Sequence, residues 1–332
     1  LSGGINPNMI LLRSQNPINE AIIDKISNLS YIKKECVISV YDFDSVYRVP
    51  LYLESQGVCE RILEFFSIKP RKSDFKDWEQ FVNKLVEPKK NNINIAMIGK
   101  YIELEDAYKS IKEALFISGI YENANINFDW ISAESIEEKN IALKLRDIDG
   151  VVILPGFGKR GFEGKVTAVN YTRKNNIPTL GICFGMQAMT INQARLKGIK
   201  DATSSEISDK GTFVLDIIVG KDKENIGGTL RLGADTICLK DNSQIKRIYE
   251  ESEISERSRH RYEVNPKYIS KIEDKEFKFT GYNKSKNLIE VCELENHPFY
   301  IGVQYHPEFN AKPLRPSKLF SAFIKSIIKI KN

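Results

Sequence analysis

The stretch TLGICFGMQAM, residues 179–189, places a cysteine between two glycines where an apolar run gives way to a helical pattern. A strand, then Gly181-x-Cys183-x-Gly185, then a helix is the order of a nucleophile elbow with cysteine in place of serine. Small residues are expected at both glycine positions because the sharp turn brings the strand and helix backbones together. A helix N-terminus favours the thiolate. The motif therefore predicts a nucleophile at Cys183, with a buried structural cysteine as the alternative.

Strands and helices alternate on both sides of this turn. The pattern predicts strands at 93–98, 126–131, 150–154 and 178–182, and helices at 104–118, 139–145, 163–174 and 184–197. This spacing is typical of an α/β protein with a doubly wound, mostly parallel sheet. From about residue 211 the sequence is strand-rich, and an amphipathic helix at 317–329 closes it.

A shorter α/β block precedes this region. It has predicted strands at 9–13 and 36–41 and predicted helices at 18–29 and 51–67. This block is interpreted as the end of a parallel α/β domain. A polar Pro-Lys-Asn run follows a short helix that carries Trp78 and Phe81, and it is the best linker candidate. The predicted organisation is a first domain at 1–69, a linker at 70–92 and a second domain at 93–332.

Composition excludes several classes of protein. The chain has 332 residues, 42% of them apolar and 28% charged, which is enough for about two globular domains. Its five cysteines are scattered without a C-x-x-C pair, so neither a disulfide framework nor a zinc site is indicated. A net charge of +5, well mixed along the chain, indicates neither a nucleic-acid nor a membrane surface. With no long apolar run and no signal peptide, a cytoplasmic location is expected.

A cysteine nucleophile needs a base, and the chain offers three histidines. His306 follows a strand-like segment and opens His306-Pro307-Glu308, where residues two apart in an extended chain point the same way. Glu308 could therefore orient the imidazole of His306. His260 lies among arginines that oppose its protonation and is predicted to be structural or on the ligand side. His297 precedes a proline and is predicted to be a surface residue of a turn.

Several further segments accompany these motifs in order along the chain. They are GKYIELEDAYKSI at 99–111, GFGKRGFEGK at 156–165, SSEI at 204–207, GGTLRLGA at 227–234, RHRYEVN at 259–265 and VQYHPEF at 303–309. Together with GICFGMQ and HPE they resemble the class I glutamine amidotransferases, and among these the CTP synthase family. INPNMILLRS and VISVYDFDSVYRVPLYLESQG in the first block are similar to the final part of the synthetase domain of that family.

The resemblance implies a class I glutamine amidotransferase fold, preceded by the C-terminal part of a Rossmann-like synthetase domain. It implies that L-glutamine is hydrolysed through a triad of Cys183, His306 and Glu308. The ammonia would then displace the 4-oxygen of UTP after ATP has activated it. The implied enzyme class is therefore a glutamine-hydrolysing ligase of pyrimidine biosynthesis.

The same resemblance assigns residues to substrate recognition. The backbone N–H groups of Gly156 and Phe184 are the expected oxyanion donors, and both residues are expected to contact glutamine. The side chains expected to hold glutamine are those of Gln187, Glu206 and Arg261. The family usually reads Pro-Gly-Gly-Phe-Gly where this chain has Leu-Pro-Gly-Phe-Gly at 154–158. Since Pro155 has no N–H and a fixed φ, it puts the geometry of this loop in question.

The other ligands implied belong to the full-length enzyme. ATP and Mg²⁺ are expected there, with no cofactor or metal in the glutaminase domain, and a homotetramer is the expected assembly. GTP is the expected allosteric activator; the candidate residues for this response are Phe157, Arg160 and Arg231. Their alternative interpretation is as ordinary surface arginines and a packed aromatic. Asp42 and Arg48 are candidates for the ATP side.

Other interpretations stay open at this point. Gly156-x-Gly158-x-x-Gly161 formally fits a dinucleotide fingerprint, but the elbow occupies the place where an acidic residue is required. Another class I amidotransferase, or a silent regulatory homologue that keeps only the fold, is the alternative to an active enzyme. No G-x-x-x-x-G-K-[ST] occurs, and the chain begins with Leu1, so a fragment without the nucleotide-binding front of the synthetase is expected.

Overall fold

The computed structural model describes residues 4–69, 74–217 and 231–332. The chain divides into two compact units, and the division falls between Glu87 and Pro88. Residues 70–73 of the predicted linker, and residues 227–230 of the segment GGTLRLGA, lie outside the described residues. Within the described ranges, no helix is long and apolar enough to cross a membrane.

The first unit contains one pair of parallel strands and four helices within its described residues. Their bounds are β1 Ile10–Ser14, α1 Glu20–Ser30, β2 Val37–Tyr41, α2 Val49–Ser55, α3 Val58–Phe65 and α4 Lys76–Val86. The single helix predicted at 51–67 is wrong, because Gly57 adopts φ +66° and separates α2 from α3. Helix α4, inside the predicted linker, buries Phe81, and the Trp78 indole donates a hydrogen bond to the Tyr47 carbonyl at 2.8 Å.

The second unit begins with the predicted alternation of strands and helices. The bounds are β3 Asn91–Gly99, α5 Lys109–Tyr121, β4 Ala124–Ser132, α6 Ile141–Lys144, β5 Gly150–Ile153, α7 Phe162–Lys174, β6 Thr179–Ile182 and α8 Phe184–Leu196. The strand-rich region follows. Its bounds are β7 Ala202–Ser204, β8 Thr212–Ile217, β9 Arg231–Leu239, α9 Gln244–Tyr249, β10 Glu253–His260, β11 Tyr262–Val264, α10 Ile269–Ile272, β12 Phe277–Asn283, β13 Ile289–Leu294, β14 Tyr300–Val303 and α11 Lys318–Lys331.

Among the described residues, nine strands form the main sheet in the order β10-β9-β12-β13-β14-β6-β5-β3-β4. The half from β14 to β4 is parallel, and the half from β10 to β14 is antiparallel. The predicted α/β class is confirmed, and the antiparallel half corresponds to the strand-rich sequence after residue 211. A smaller sheet, β11-β8-β7, lies apart from it.

The central strands β5, β6 and β14, and most of β3, are buried on both faces, which explains their nearly continuous apolar sequences. Alternate residues of β3 show this: Ala96 and Ile98 belong to the cluster that contains Met186 of α8, whereas Met97 belongs to the cluster that contains Phe323 of α11. The two helical layers hold the strands rigidly. The carboxyl ends of β5, β6 and β14, which are neighbours in the sheet, are thereby fixed beside one another.

Candidate active site

The elbow motif forms a strained turn between β6 and α8. Cys183 adopts φ +53° and ψ −102°, a conformation that costs a residue with a Cβ free energy. Its N–H donates to the Val303 carbonyl at 2.7 Å, which ties the turn to β14. A Cβ at Gly185 would lie 2.3 Å from the Ile153 carbonyl oxygen, and one at Gly181 would lie 2.8 Å from the Gly185 carbonyl carbon. The close backbone approach that the motif predicts is therefore present.

His306 and Glu308 follow β14 and form a buried pair. The imidazole Nδ1 lies 2.7 Å from the Glu308 carboxylate, and both side chains are less than 10% exposed. The backbone N–H of His306 donates to the Arg257 carbonyl at 2.9 Å and holds the segment in place. Among the described residues, nothing makes a hydrogen bond with the other ring nitrogen, Nε2.

The surroundings of His306 favour its charged form. Burial acts to lower the pKa of His306, but the Cys183 thiol group and the Glu308 carboxylate outweigh burial and raise this pKa to about 10. The imidazolium is therefore the dominant form at neutral pH. A cysteine beside an imidazolium is the arrangement that activates thiol nucleophiles.

A cavity of about 340 Å³ opens onto these groups. Cys183, His306 and Gly156 line it, and they come from the ends of β6, β14 and β5. Tyr108, which precedes α5, and Phe157 form further parts of the wall. Ligands of open α/β sheets bind outside the carboxyl ends of the strands, and this cavity lies there. The geometry brings together a thiol, a charged imidazole and a glycine-containing loop.

The loop of residues 154–158 is held by several contacts. The Tyr108 hydroxyl donates to the Pro155 carbonyl at 3.3 Å, and the Lys100 ammonium donates to the Phe157 carbonyl at 3.0 Å. The Gly158 N–H donates to a Glu206 carboxylate oxygen at 2.7 Å. Within the described chain no acceptor is bonded to the Gly156 N–H. Pro155, which has no N–H, is therefore held through its carbonyl oxygen. The N–H of the following residue, Gly156, has no acceptor among the described residues.

Glu206 contacts this loop and lies within electrostatic range of Arg261, although neither residue is among those that line the cavity. Burial raises the pKa of Glu206, whereas the Gly158 N–H and the charges of Arg261, Lys100 and Lys165 oppose that rise. Glu206 follows β7 and Arg261 immediately precedes β11, so the small sheet sets their separation. An acid and a base close together could bind the ends of a zwitterion.

Gln187, like Glu206 and Arg261, does not line the cavity, and hydrogen bonds hold its side chain in the interior. Its side chain is 3% exposed, and its amide nitrogen donates to the Tyr262 carbonyl at 3.1 Å and to Gln304 Oε1 at 3.3 Å. Gln304 in turn donates from its amide to Cys183 Sγ at 3.6 Å. Sequence reasoning missed Gln304, although it stands two residues before His306.

The residues singled out for a GTP response have three different environments. Phe157 is 41% exposed at the cavity, and Arg160 is an exposed partner of Glu134. Arg231 is 6% exposed, so its interpretation as a surface arginine is wrong. It lies in a cluster of ion pairs whose carboxylates are those of Asp235, Glu263 and Glu290.

The other two histidines are buried, and neither is among the residues that line the cavity. His260 is buried with its Nε2 2.5 Å from a Glu263 carboxylate oxygen, as expected of a structural residue. The surface position predicted for His297 is wrong: the residue is 8% exposed, and its Nδ1 accepts a hydrogen bond from the Phe299 N–H at 3.2 Å. In the first unit, Asp42 pairs with Arg13. Arg48 pairs with Asp44 at 2.7 Å.

Residues 103–326 match the sequence family described as glutamine amidotransferase class-I. The chain belongs to the class I glutamine amidotransferases. Residues 1–68 match a second family description, CTP synthase N-terminus. The two matches fall in the order, and near the positions, in which the corresponding motifs occur.

Full-length relatives are similar along nearly the whole chain. The CTP synthase of Mycoplasmopsis pulmonis is 48% identical over 332 residues, which cover 99% of this chain and 62% of that protein. The CTP synthase of a Hydrogenobaculum species is 43% identical over 326 residues, 97% of this chain and 60% of that protein. The chain thus spans about three fifths of the length of these relatives.

A solved structure is similar to the second unit. It is the glutaminase domain of Trypanosoma brucei CTPS with bound acivicin, with a TM-score of 0.67 and 29% sequence identity. The similarity covers 71% of this chain and 94% of that domain. The fold of this amidotransferase is therefore that of a CTPS glutaminase domain.

Proposed function

We propose that this amidotransferase hydrolyses L-glutamine through Cys183, His306 and Glu308. The observation that carries the proposal is the placement of Cys183, at the head of α8, in one cavity with a buried His306–Glu308 pair. Nε2 of His306 has no hydrogen-bond partner among the described residues, so this nitrogen can exchange protons with the reacting groups. Similarity to a glutaminase domain supports the same conclusion.

The first half of the reaction is acyl transfer to sulfur. The Cys183 thiolate attacks the carboxamide carbon, and the C–S bond forms while the carbonyl π electrons move to oxygen. The oxyanion collapses, the C–N bond breaks, and the His306 imidazolium gives its proton to the leaving nitrogen, which departs as ammonia. The product on the enzyme is a γ-glutamyl thioester.

The second half of the reaction restores the enzyme. The neutral His306 takes a proton from a water molecule as that water attacks the thioester carbon. The second tetrahedral intermediate expels the Cys183 thiolate, and glutamate is released. Glu308 holds the imidazole through Nδ1 and stabilises its charged form in both halves.

The proposed oxyanion hole consists of two backbone donors. One is the Gly156 N–H, and the other is the N–H of Phe184, which heads α8 and so belongs to a turn whose N–H groups have no intrahelical acceptor. Glu206 is proposed to bind the α-amino group of glutamine and Arg261 its α-carboxylate. Gln187 is also proposed to hold glutamine; its amide nitrogen is bonded to Tyr262 and Gln304, and its Oε1 has no partner among the described residues.

For the whole protein we propose ATP-dependent amination of UTP to CTP, because the similar full-length proteins are CTP synthases. Residues 1–69 are proposed as the C-terminal part of the synthetase domain, residues 70–92 as the linker and residues 93–332 as the glutaminase domain. Activation by GTP, a tetrameric assembly, a cytoplasmic location and an ATP-side role for Asp42 stay predictions.

The test of the proposed function is labelling of one thiol among five. A diazo-ketone analogue of glutamine should alkylate Cys183 alone, and glutamine should protect it. Cys183→Ala should abolish release of ammonia from glutamine, whereas the matched control Cys238→Ala, in the same unit, should retain it. An adduct mapped to Cys36, Cys59, Cys238 or Cys292, or full activity of Cys183→Ala, would contradict the assignment.

A further inference from the structure

Lys165 of α7 has its charged end in the protein interior, directly behind the proposed oxyanion hole. The side chain is 1% exposed, and its ammonium donates to the Leu154 carbonyl at 2.6 Å. The nitrogen lies 4.9 Å from the centroid of the Phe184 ring. A Cβ at position 156 would lie 3.6 Å from the same nitrogen. One ammonium therefore adjoins both residues whose N–H groups are the proposed oxyanion donors.

This buried cation lacks a carboxylate partner. Among the described residues, no Asp or Glu oxygen lies within the 4.0 Å of an ion pair with the Lys165 nitrogen. Burial lowers the pKa of Lys165 to about 7, the charge of Lys100 lowers it further, and the charges of Cys183 and Glu206 oppose this. A buried ion without a counter-ion is costly, and its cost falls when negative charge appears nearby. The proposed reaction generates negative charge at this place.

We propose that Lys165 is a positioning residue of the oxyanion hole. Its ammonium fixes the Leu154–Gly156 backbone and adds a positive potential that favours the negatively charged carboxamide oxygen of the tetrahedral intermediate. The inference rests on the proposed glutaminase function. It goes beyond that function because it adds a charged group to a hole otherwise made of backbone donors.

Electrostatics of this kind acts strongly because the ammonium is shielded from water. Lys100 donates to a carbonyl of the same loop, that of Phe157, and its charge acts on both Lys165 and Glu206, so it belongs to the support of the site. A suitable comparison is a lysine outside this support. Lys174 lies in the same helix as Lys165 and is exposed, so solvent screens its charge.

The test is the neutral variant Lys165→Met, with Lys174→Met, at an exposed lysine of the same helix, as the matched control. Removing a group that stabilises an oxyanion typically lowers kcat about 10²–10³-fold. We expect a fall of about 100-fold for Lys165→Met, with KM for glutamine within about threefold of wild type, because the ground-state carboxamide is neutral. For Lys174→Met we expect kcat within about twofold of wild type, since its charge is exposed to solvent and screened.

Two further measurements distinguish this role from a structural one. Alkylation of Cys183 by iodoacetamide, followed by peptide mapping, displaces iodide without forming an oxyanion, so its limiting rate at high pH should be within about threefold of wild type in Lys165→Met. The melting temperature of Lys165→Met should not be lower than that of wild type, because methionine removes a buried charge.

The results that would refute the role of Lys165 differ from those that would refute the proposed function. A kcat of Lys165→Met within about threefold of wild type would refute the proposal, because removal of such a group should cost far more. So would parallel losses of kcat, alkylation rate and melting temperature, which would show a structural role. Wild-type protein that neither hydrolyses glutamine nor reacts with its diazo-ketone analogue would instead refute the proposed function.

Discussion

Replacing Glu308 by glutamine tests how the buried carboxylate controls the proposed base. The substitution keeps the side-chain volume but removes the negative charge 2.7 Å from Nδ1 of His306. Without that charge, the buried imidazolium loses one of the two groups that favour it, the other being Cys183. The imidazole should therefore release its proton at lower pH, and it should be held less firmly in the orientation needed for proton transfer.

The size of the effect follows from the pKa of His306. Its rise from 6.5 to about 10 corresponds to roughly 5 kcal/mol of net preference for the imidazolium. Because burial opposes this preference, Glu308 and Cys183 together supply more than the net value, and an equal share for the Glu308 charge is at least roughly 2.5 kcal/mol, about 70-fold if the same energy is lost in the transition state. We therefore expect kcat to fall about 10²-fold in Glu308→Gln, and further in His306→Ala, which removes the proton donor itself.

The raised pKa of His306 also predicts how the stability of the protein depends on pH. The folded-state pKa of His306 lies above the unfolded value, so its contribution to stability is complete below about pH 6.5 and is lost as pH rises through about 10. The difference in free energy of unfolding between wild type and Glu308→Gln, measured in urea, should be largest near pH 6 and shrink by pH 10.5. Glu295→Gln, which removes an exposed carboxylate, is the control.

Two results would refute this reasoning. The first is a kcat for Glu308→Gln as low as that of His306→Ala, which would give the carboxylate an equal share in the chemistry. The second is a stability difference that does not change between pH 6 and pH 10.5. In that case the charge of Glu308 would have no bearing on protonation of His306.

The remaining predictions concern the elbow and substrate binding. Gly185→Ala should destabilise the protein by about 1–3 kcal/mol or prevent the turn from forming, because its Cβ would lie 2.3 Å from a backbone oxygen; unchanged urea unfolding and kcat would contradict this. Arg261→Ala and Glu206→Ala should each raise KM for glutamine about 10- to 100-fold with smaller changes in kcat, because a lost charge-assisted contact costs about 1.5–3 kcal/mol. An unchanged KM in both variants would mean that the α-amino and α-carboxylate groups bind elsewhere.

The sequence predicted the parallel half of the main sheet well because that half is periodic at short range. Strands such as β3 and β6 are apolar runs bounded by helical patterns, and the glycines around Cys183 mark a turn that few other residues can form. The break between α2 and α3 was missed, because a single glycine in a helical pattern does not reveal its φ. The order of the antiparallel strands depends on long-range pairing, which no local pattern specifies.

The burial of polar residues in the second unit was the hardest property to predict from the sequence. His297 is followed by a proline, which indicated an exposed turn, yet the chain folds that turn against α7, where Nε2 lies 3.4 Å from the Thr172 carbonyl. Arg231 begins β9, but its carboxylate partners Glu263 and Glu290 belong to β11 and β13, neither of which pairs with β9 among the described residues. In both cases the compensating groups are distant in sequence, so composition and spacing gave no signal.

Several costly features of this unit lie at or beside one cavity. Cys183 has a backbone conformation unfavourable for a residue with a Cβ, and His306 and Glu308 form a pair held away from water. Lys165, beside Gly156 and Phe184, is buried with no carboxylate partner among the described residues. Each feature disfavours folding by itself, so the clusters on the two faces of the sheet must offset them. The nucleophile can be predicted from the sequence because the strained turn requires a glycine on each side of Cys183. A buried charge requires no such pattern in the neighbouring sequence. The position of Lys165 is therefore recognised only from the packing of α7 against the loop after β5 and the head of α8.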